Sequence, residues 1–193
     1  MAGGDKLSAP LGGRALLVRA VERARPQVAR LAINVNGDAA RLAGYGLPLL
    51  PDTVADFAGP LAGVLAGLEW AATLPGCRWL ATFPADAPFL PDDLVSRLLD
   101  AAEAGGTLLA LAASRGRLHP VFGMWALALR GDLRRALVEE GLRKVELWTA
   151  RQHPAVVDFA LDPVDPFFNV NSPADLAEAE RLLPLFEATG RKP

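Results

Sequence analysis

Trp79-Leu80-Ala81-Thr82-Phe83-Pro84-Ala85-Asp86-Ala87-Pro88-Phe89-Leu90-Pro91 is the stretch that decides the fold. Its first five residues carry no charge, which predicts a strand over 79–83 buried on both faces, as in a sheet covered by helices on two sides. Pro84, Pro88 and Pro91 then forbid both a longer strand and an early helix. Asp86 is left on a stiff loop just past the strand's carboxyl end, where ligands bind in open α/β sheets. A carboxylate held there is a candidate metal ligand or base. It is equally an aspartate that caps a turn.

Outward from this strand, short apolar runs alternate with longer amphipathic ones. The pattern predicts helices over 15–24, 38–42, 61–73, 92–104, 132–140 and 144–150. It predicts strands over 31–35, 47–50, 107–113, 121–129 and 156–161. Pro75-Gly76 and Gly105-Gly106 act as helix stops, and Asp92 as an N-cap. Ser172 caps a final helix to about 186 with Pro173 at its first position, and residues 189–193 read as a frayed tail. Strand–helix alternation of this kind argues for one α/β domain over 1–193, with a mostly parallel, mixed sheet flanked by helices. The start is anomalous. Met1-Ala2-Gly3-Gly4-Asp5-Lys6 looks like a glycine-rich turn without the strand that normally feeds it.

Composition narrows the function. The 193 residues carry a net charge of −2, with 20 Lys+Arg against 22 Asp+Glu, so no polyanion-binding surface is implied and nucleic acid is disfavoured as a partner. Cys77 is the lone cysteine, so neither an internal disulfide nor a cysteine zinc cluster can form, which fits a reducing cytoplasm. The N-terminus has no signal-peptide h-region, and no apolar run is long enough to span a bilayer. HExxH and GxSxG are absent, which disfavours a zinc protease and a serine hydrolase.

Several segments can carry chemistry. Gly3 and Gly4 would let backbone N–H groups approach a phosphate, with Lys6 as a point charge; a flexible N-terminus explains them as well. Asp52 ends a strand and can accept two N–H bonds from a guanine edge. Gly59, Pro60 and Gly63 open a helix where a base or phosphate can lie close, although Gly63 and Gly67 also suit plain helix–sheet packing. Asn34 and Asn36 stand at a strand end beside Gly37, which is ordinary turn chemistry or a contact to ribose or base. Asn169 and Asn171 alternate and so can point the same way into a cleft. His119, before Pro120, is a candidate substrate contact. Arg134, Arg135, Arg143 and Lys144 read as solvated helix charges that a phosphate-bearing substrate could use, and the four tryptophans as packing.

In order, these segments resemble the molybdenum cofactor guanylyltransferases, bacterial enzymes that attach GMP to molybdopterin. The family's opening loop looks like LAGGxSxRMGGxDK; here it reads MAGGDK, then LGGRALL. INVNGD, LPDTVADFAGPLAG, FPADAPFLPDDL, RLHPVFGMW and FFNVNSPADLAEAE follow in the family's order over essentially the whole chain. The resemblance implies a Rossmann-like nucleotidyltransferase fold and transfer of GMP from GTP to the phosphate of molybdopterin, with Mg²⁺ and release of pyrophosphate. It implies that Asp86 holds Mg²⁺ and Lys6 neutralises phosphate charge. Asp52 and Asn34 would bind guanosine, the Gly59–Pro60–Gly63 segment would shape the base pocket, and Asn169 and Asn171 would lie near the nucleotide or the pterin phosphate. It further implies a cytoplasmic enzyme in transient contact with molybdenum-insertion proteins or molybdoenzymes.

The chain departs from the pattern at Ala15, where proline is usual, and at Ala85 and Ala87, where cysteine and threonine are frequent. Met1 aligns with the methionine inside RMGG, so the resemblance implies that the first strand and most of the phosphate loop are missing, through a late start or a truncation. On that basis the chain would bind GTP weakly, turn over little and have lowered stability. Two rivals follow. One is a nucleotidyltransferase of the same fold that takes another NTP; the other is a non-catalytic module that binds the pterin cofactor or a molybdoenzyme.

Overall fold

The computed structural model describes residues 6–54 and 59–189. Gly3 and Gly4, and residues 190–193 of the tail expected over 189–193, lie outside the described residues, while Thr189 still belongs to the last helix. After a turn of 3-10 helix at Lys6–Ser8, β1 (Pro10–Leu11) and β2 (Arg14–Ala15) form an antiparallel ribbon that the sequence reading missed. Gly12 and Gly13 close it with φ of 55° and 74°, a conformation open to glycine. Next come α1 (Leu16–Ala24), β3 (Ile33–Asn34), β4 (Leu49–Leu50), α2 (Pro60–Ala71), β5 (Trp79–Thr82) and α3 (Leu94–Gly105). The chain continues through β6 (Leu109–Ser114), β7 (Arg117–Ala126), α4 (Arg130–Val138), α5 (Val145–Arg151), β8 (Ala155–Asp158) and α6 (Pro173–Thr189).

The main sheet has the order β5-β7-β6-β8. β5, β6 and β8 point one way and β7 runs against them. β3 and β4 pair in parallel as a separate two-stranded sheet, so the single sheet expected from sequence is divided. α2 lies across both parts. A Cβ added to Gly63 would stand 2.5 Å from Asn34 Oδ1, and one added to Gly67 would stand 2.9 Å from Leu80 Cδ2. Two glycines four apart on one helix face thus let α2 sit close to β3 and β5 together.

Strand alternation divides the core. Leu109 and Leu111 of β6 face α2, α4 and α5, together with Leu65, Leu68, Leu133, Trp125 and Trp148. Ala110 and Ala112 face Leu94, Leu98 and Ala102 of α3, together with Phe122, Phe159 and Phe167. Burying one such leucine contributes about 1.5–3 kcal/mol.

Three local expectations are corrected. All four residues of β5 are half-buried rather than buried; among the described residues the strand is paired along one edge, by β7. α3 begins after Asp93, while Asp92 reaches Arg23 at 2.9 Å instead of capping. β7 starts before Pro120, not after it. The proline is tolerated because the β6–β7 register shifts between Leu111 and Ala112, so residues 120–122 stand in a bulge with no ladder partner on β6. The Ser172 cap forms as expected: Asp175 N–H donates to Ser172 Oγ at 3.1 Å, and Ser172 N–H donates to Asp175 Oδ2 at 2.8 Å.

Candidate functional site

The sheet's carboxyl rim gathers the polar residues singled out from sequence. Asp86 is held by its loop: residues 87–90 are buried, and the Asp86 carbonyl accepts the N–H of Val170 at 3.0 Å. Its carboxylate faces Lys6, whose Nζ donates to Asp86 Oδ2 at 2.5 Å and to Asn171 Oδ1 at 2.7 Å. The side chains of Lys6 and Asp86 are 30% and 21% exposed, so this pole is open to a solute. Asn171 is fixed in turn, because its N–H donates to Asp175 Oδ2 at 2.9 Å. The backbone N–H of Asn171, with Ser172 and the charge of Lys6 adding to it, holds the Asp175 carboxyl below its ordinary value. Next to this group, the Asn169 Oδ1 atom is buried without a hydrogen-bond partner. An acceptor left so is costly unless a donor or cation meets it.

A second polar group forms where β3 and β4 end. Asp52 Oδ1 accepts from Asn34 Nδ2 at 2.9 Å, and Asp52 Oδ2 accepts from Asn36 Nδ2 at 2.6 Å. Asp52 N–H donates back to Asn36 Oδ1 at 3.2 Å, and Asn34 Nδ2 also reaches Leu50 O at 3.0 Å. Each carboxylate oxygen keeps a further lone pair for an incoming N–H. Gly63 lies directly beneath Asn34. Gly59 precedes α2 and Pro60 takes its first turn, where a missing N–H costs nothing. Residues 55–58 lie outside the described residues.

The two groups are joined by packing. Val35, between Asn34 and Asn36, shares a cluster with Leu7 and Ala85, the neighbours of Lys6 and Asp86. Sequence reasoning also underrated two places. The Arg143 carbonyl lies 3.8 Å from a Cβ built on Gly59, which brings the α4–α5 connection beside the start of α2. Ser114, His119 and Asp165 are hydrogen-bonded together at the same rim. The signal for His119 was its place before Pro120; nothing in the sequence pointed to Ser114.

Asp86 Oδ2 and Asn171 Oδ1 aim at one cationic atom. Two hard oxygen donors, one of them charged, suit Mg²⁺ better than a soft transition metal. Among the described residues no three His, Cys, Asp or Glu side chains gather as a metal cluster, and no helix is long and apolar enough to cross a membrane.

Residues 1–155 match a family model described as MobA-like NTP transferase domain. A molybdenum cofactor guanylyltransferase of Rhodopseudomonas palustris (strain BisB5) is 52% identical over 183 residues, covering 94% of this chain and 87% of that protein. One from Bradyrhizobium sp. (strain ORS 278) is 54% identical over 183 residues, covering 94% of this chain and 86% of that protein. Among solved structures, molybdopterin-guanine dinucleotide biosynthesis protein A of Archaeoglobus fulgidus superposes with a TM-score of 0.74 at 22% identity, covering 94% of this chain and 92% of that one. A 4-diphosphocytidyl-2C-methyl-D-erythritol synthase of Anaerococcus prevotii superposes with a TM-score of 0.71 at 11% identity, covering 91% of this chain and 88% of that one. At these identities the two structures speak for the fold alone, and the fold is that of nucleotidyltransferases.

Proposed function

Because the chain belongs to the molybdenum cofactor guanylyltransferase family and is a nucleotidyltransferase, we propose that it transfers GMP from Mg²⁺-bound GTP to the phosphate of molybdopterin, releasing pyrophosphate. One observation carries the reading: Lys6, Asp86 and Asn171 converge at the sheet's carboxyl rim, with the buried acceptor of Asn169 beside them. Asp86 with Asn171 would hold Mg²⁺, which supplies charge neutralisation at the phosphates when bound. With that donor pair engaged, Lys6 is free to turn its ammonium to the phosphate oxygens.

The reaction asks little covalent help of the protein. A phosphate oxygen of molybdopterin bonds to the α-phosphorus of GTP. The bond from that phosphorus to its β-bridging oxygen breaks, and pyrophosphate leaves with the electron pair. Positioning and charge are what the residues provide. Asp52, with Asn34 and Asn36, reads the guanine edge; Gly59, Pro60 and Gly63 shape its pocket. Asn169, two residues before Asn171 on the same segment, would lie near the nucleotide or the pterin phosphate. A cytoplasmic setting fits the free Cys77.

The test is pyrophosphate release with molybdopterin, Mg²⁺ and each of GTP, CTP, ATP and UTP. Release with GTP alone, abolished by a chelator, is the expected result. Equal release with CTP would move the assignment to another nucleotidyltransferase, and binding of GTP with no release would favour a cofactor-binding module.

Gly63→Ala separates the base pocket from the fold. Alanine favours the helix by up to about 1 kcal/mol. Its Cβ, however, would meet Asn34 Oδ1 at 2.5 Å and push that side chain off Asp52 and Leu50 O. The expected outcome is an unchanged or raised melting temperature together with a loss in guanine nucleotide affinity of about tenfold, the worth of one to two hydrogen bonds. Calorimetry and a thermal melt on the same sample check both halves.

A further inference from the structure

The β6–β7 hairpin meets residues 165–171 at a polar relay that the transfer reading does not use. Ser114 is 2% exposed, yet its hydroxyl has two partners, His119 Nε2 at 2.8 Å and Asp165 Oδ1 at 3.3 Å. The direction follows from chemistry. An ionised carboxylate only accepts, so the Ser114 hydroxyl donates to Asp165 and its oxygen accepts the Nε2–H of His119. Burial holds the imidazole below its ordinary pKa; Asp165 opposes this and Arg117 adds to it. The ring is wedged between Phe167, 4.7 Å away, and the edge-on Phe122, 6.0 Å away. His119 pairs with Ala112 in the ladder, so its side chain leaves the same face of the hairpin as that of Ser114, two residues further along β6, and the bulge over 120–122 begins just after it.

Asp165 then grips the chain that follows it. Its Oδ1 accepts Phe167 N–H at 3.0 Å, and its carbonyl accepts Phe168 N–H at 3.2 Å. Downstream, Val170 N–H is bonded to Asp86 O and Asn171 Oδ1 to Lys6. The strap over 165–171 is therefore fixed at both ends, and between the fixed points stands Asn169 with its buried, unpartnered Oδ1.

We propose that Ser114, His119 and Asp165 are positioning residues for nucleotidyl transfer: their relay fixes the strap so that Asn169 and Asn171 meet the nucleotide beside Asp86. This rests on reading Asp86 and Asn171 as the pole that binds the phosphates. A displacement of about 1 Å at such a site costs as much as 10²-fold in rate, so a relay distant from the reacting atoms still governs turnover.

The test uses the full chain and measures Mn²⁺·GTP affinity, kcat and thermal stability. Ser114→Ala is expected to weaken Mn²⁺·GTP binding about tenfold and lower kcat, and Ser114→Thr, which keeps the hydroxyl, to recover most of both. Thr149→Val is the control. It removes another buried hydroxyl, 3% exposed, on the opposite face of the sheet, and should lower stability without changing affinity. A relay that only stabilises the fold would make Ser114→Ala behave like Thr149→Val, and that result overturns the proposal. Should Ser114→Ala not fold, Asp165→Ala at a half-buried position carries the same comparison, wild-type affinity and kcat again overturning it. Asp86→Asn separates the two readings. If it binds Mn²⁺·GTP as the wild type does, the site assignment falls and this proposal with it. If it loses binding while Ser114→Ala does not, only the positioning role is wrong.

Discussion

Asp86→Asn lowers GMP transfer by on the order of 10²–10³-fold, the scale seen when one preorganised electrostatic contact to a developing charge is removed, and leaves the fold standing. The two halves have separate causes. The carboxylate is the only charged oxygen in the donor pair that Lys6 bridges, and an amide in its place offers one neutral oxygen and one nitrogen that repels cations. The Lys6–Asp86 pair is part-exposed, so its loss costs stability only about 0–1 kcal/mol after solvent screening. The loop's attachment is untouched, since the bond from Val170 runs to the backbone carbonyl of Asp86. Pyrophosphate release and a melting curve on the same preparation check the result. Activity within threefold of the wild type would remove Asp86 from the reacting centre.

Trp125→Ala destabilises the protein by about 3–5 kcal/mol. Trp125 is fully buried and stacks on Trp148 with ring centroids 5.9 Å apart and an interplanar angle of 26°. Its Nε1–H donates to Thr82 Oγ1 at 2.8 Å, and Thr82 Oγ1 donates to Val121 O at 2.8 Å. The indole thus fills the layer under α2 and ties β5 to β7, its ladder partner. Against a total stability of roughly 5–15 kcal/mol, the loss is a large share. Urea unfolding should show a midpoint lower by at least a fifth, with activity falling in step because β5 carries the Asp86 loop. A shift worth less than about 1 kcal/mol would mean that the tryptophan pair is not central to the core.

Much of this was legible along the chain. The uncharged run ending in three prolines placed Asp86 at a strand exit, and Ser172-Pro173 marked the start of α6. The failures share a cause. β5 looked buried on both faces because its residues carry no charge, but its exposure depends on which elements of the folded chain pack and pair against it. Pro120 looked like the limit of a strand because proline lacks an N–H; a bulge removed the need for one. Asp92 looked like a cap until Arg23, distant in sequence, took its carboxylate.

The site divides in the same way. By itself the sequence determined which residue types stand at the rim: Asp86 past β5, Asp52 past β4, Asn34 and Asn36 beside Gly37, Asn169 and Asn171 before the α6 cap. Each follows from strand termination, turn chemistry or capping, which act over a few residues. Only the tertiary structure decided which of them meet. Lys6 reaches Asp86 across 80 positions and Asn171 across 165, while Ser114 reaches Asp165 across 51. Contacts at such separations are set by how helices stack on the sheet and where a bulge turns a strand. They are products of the whole core, and no local rule in the chain encodes them.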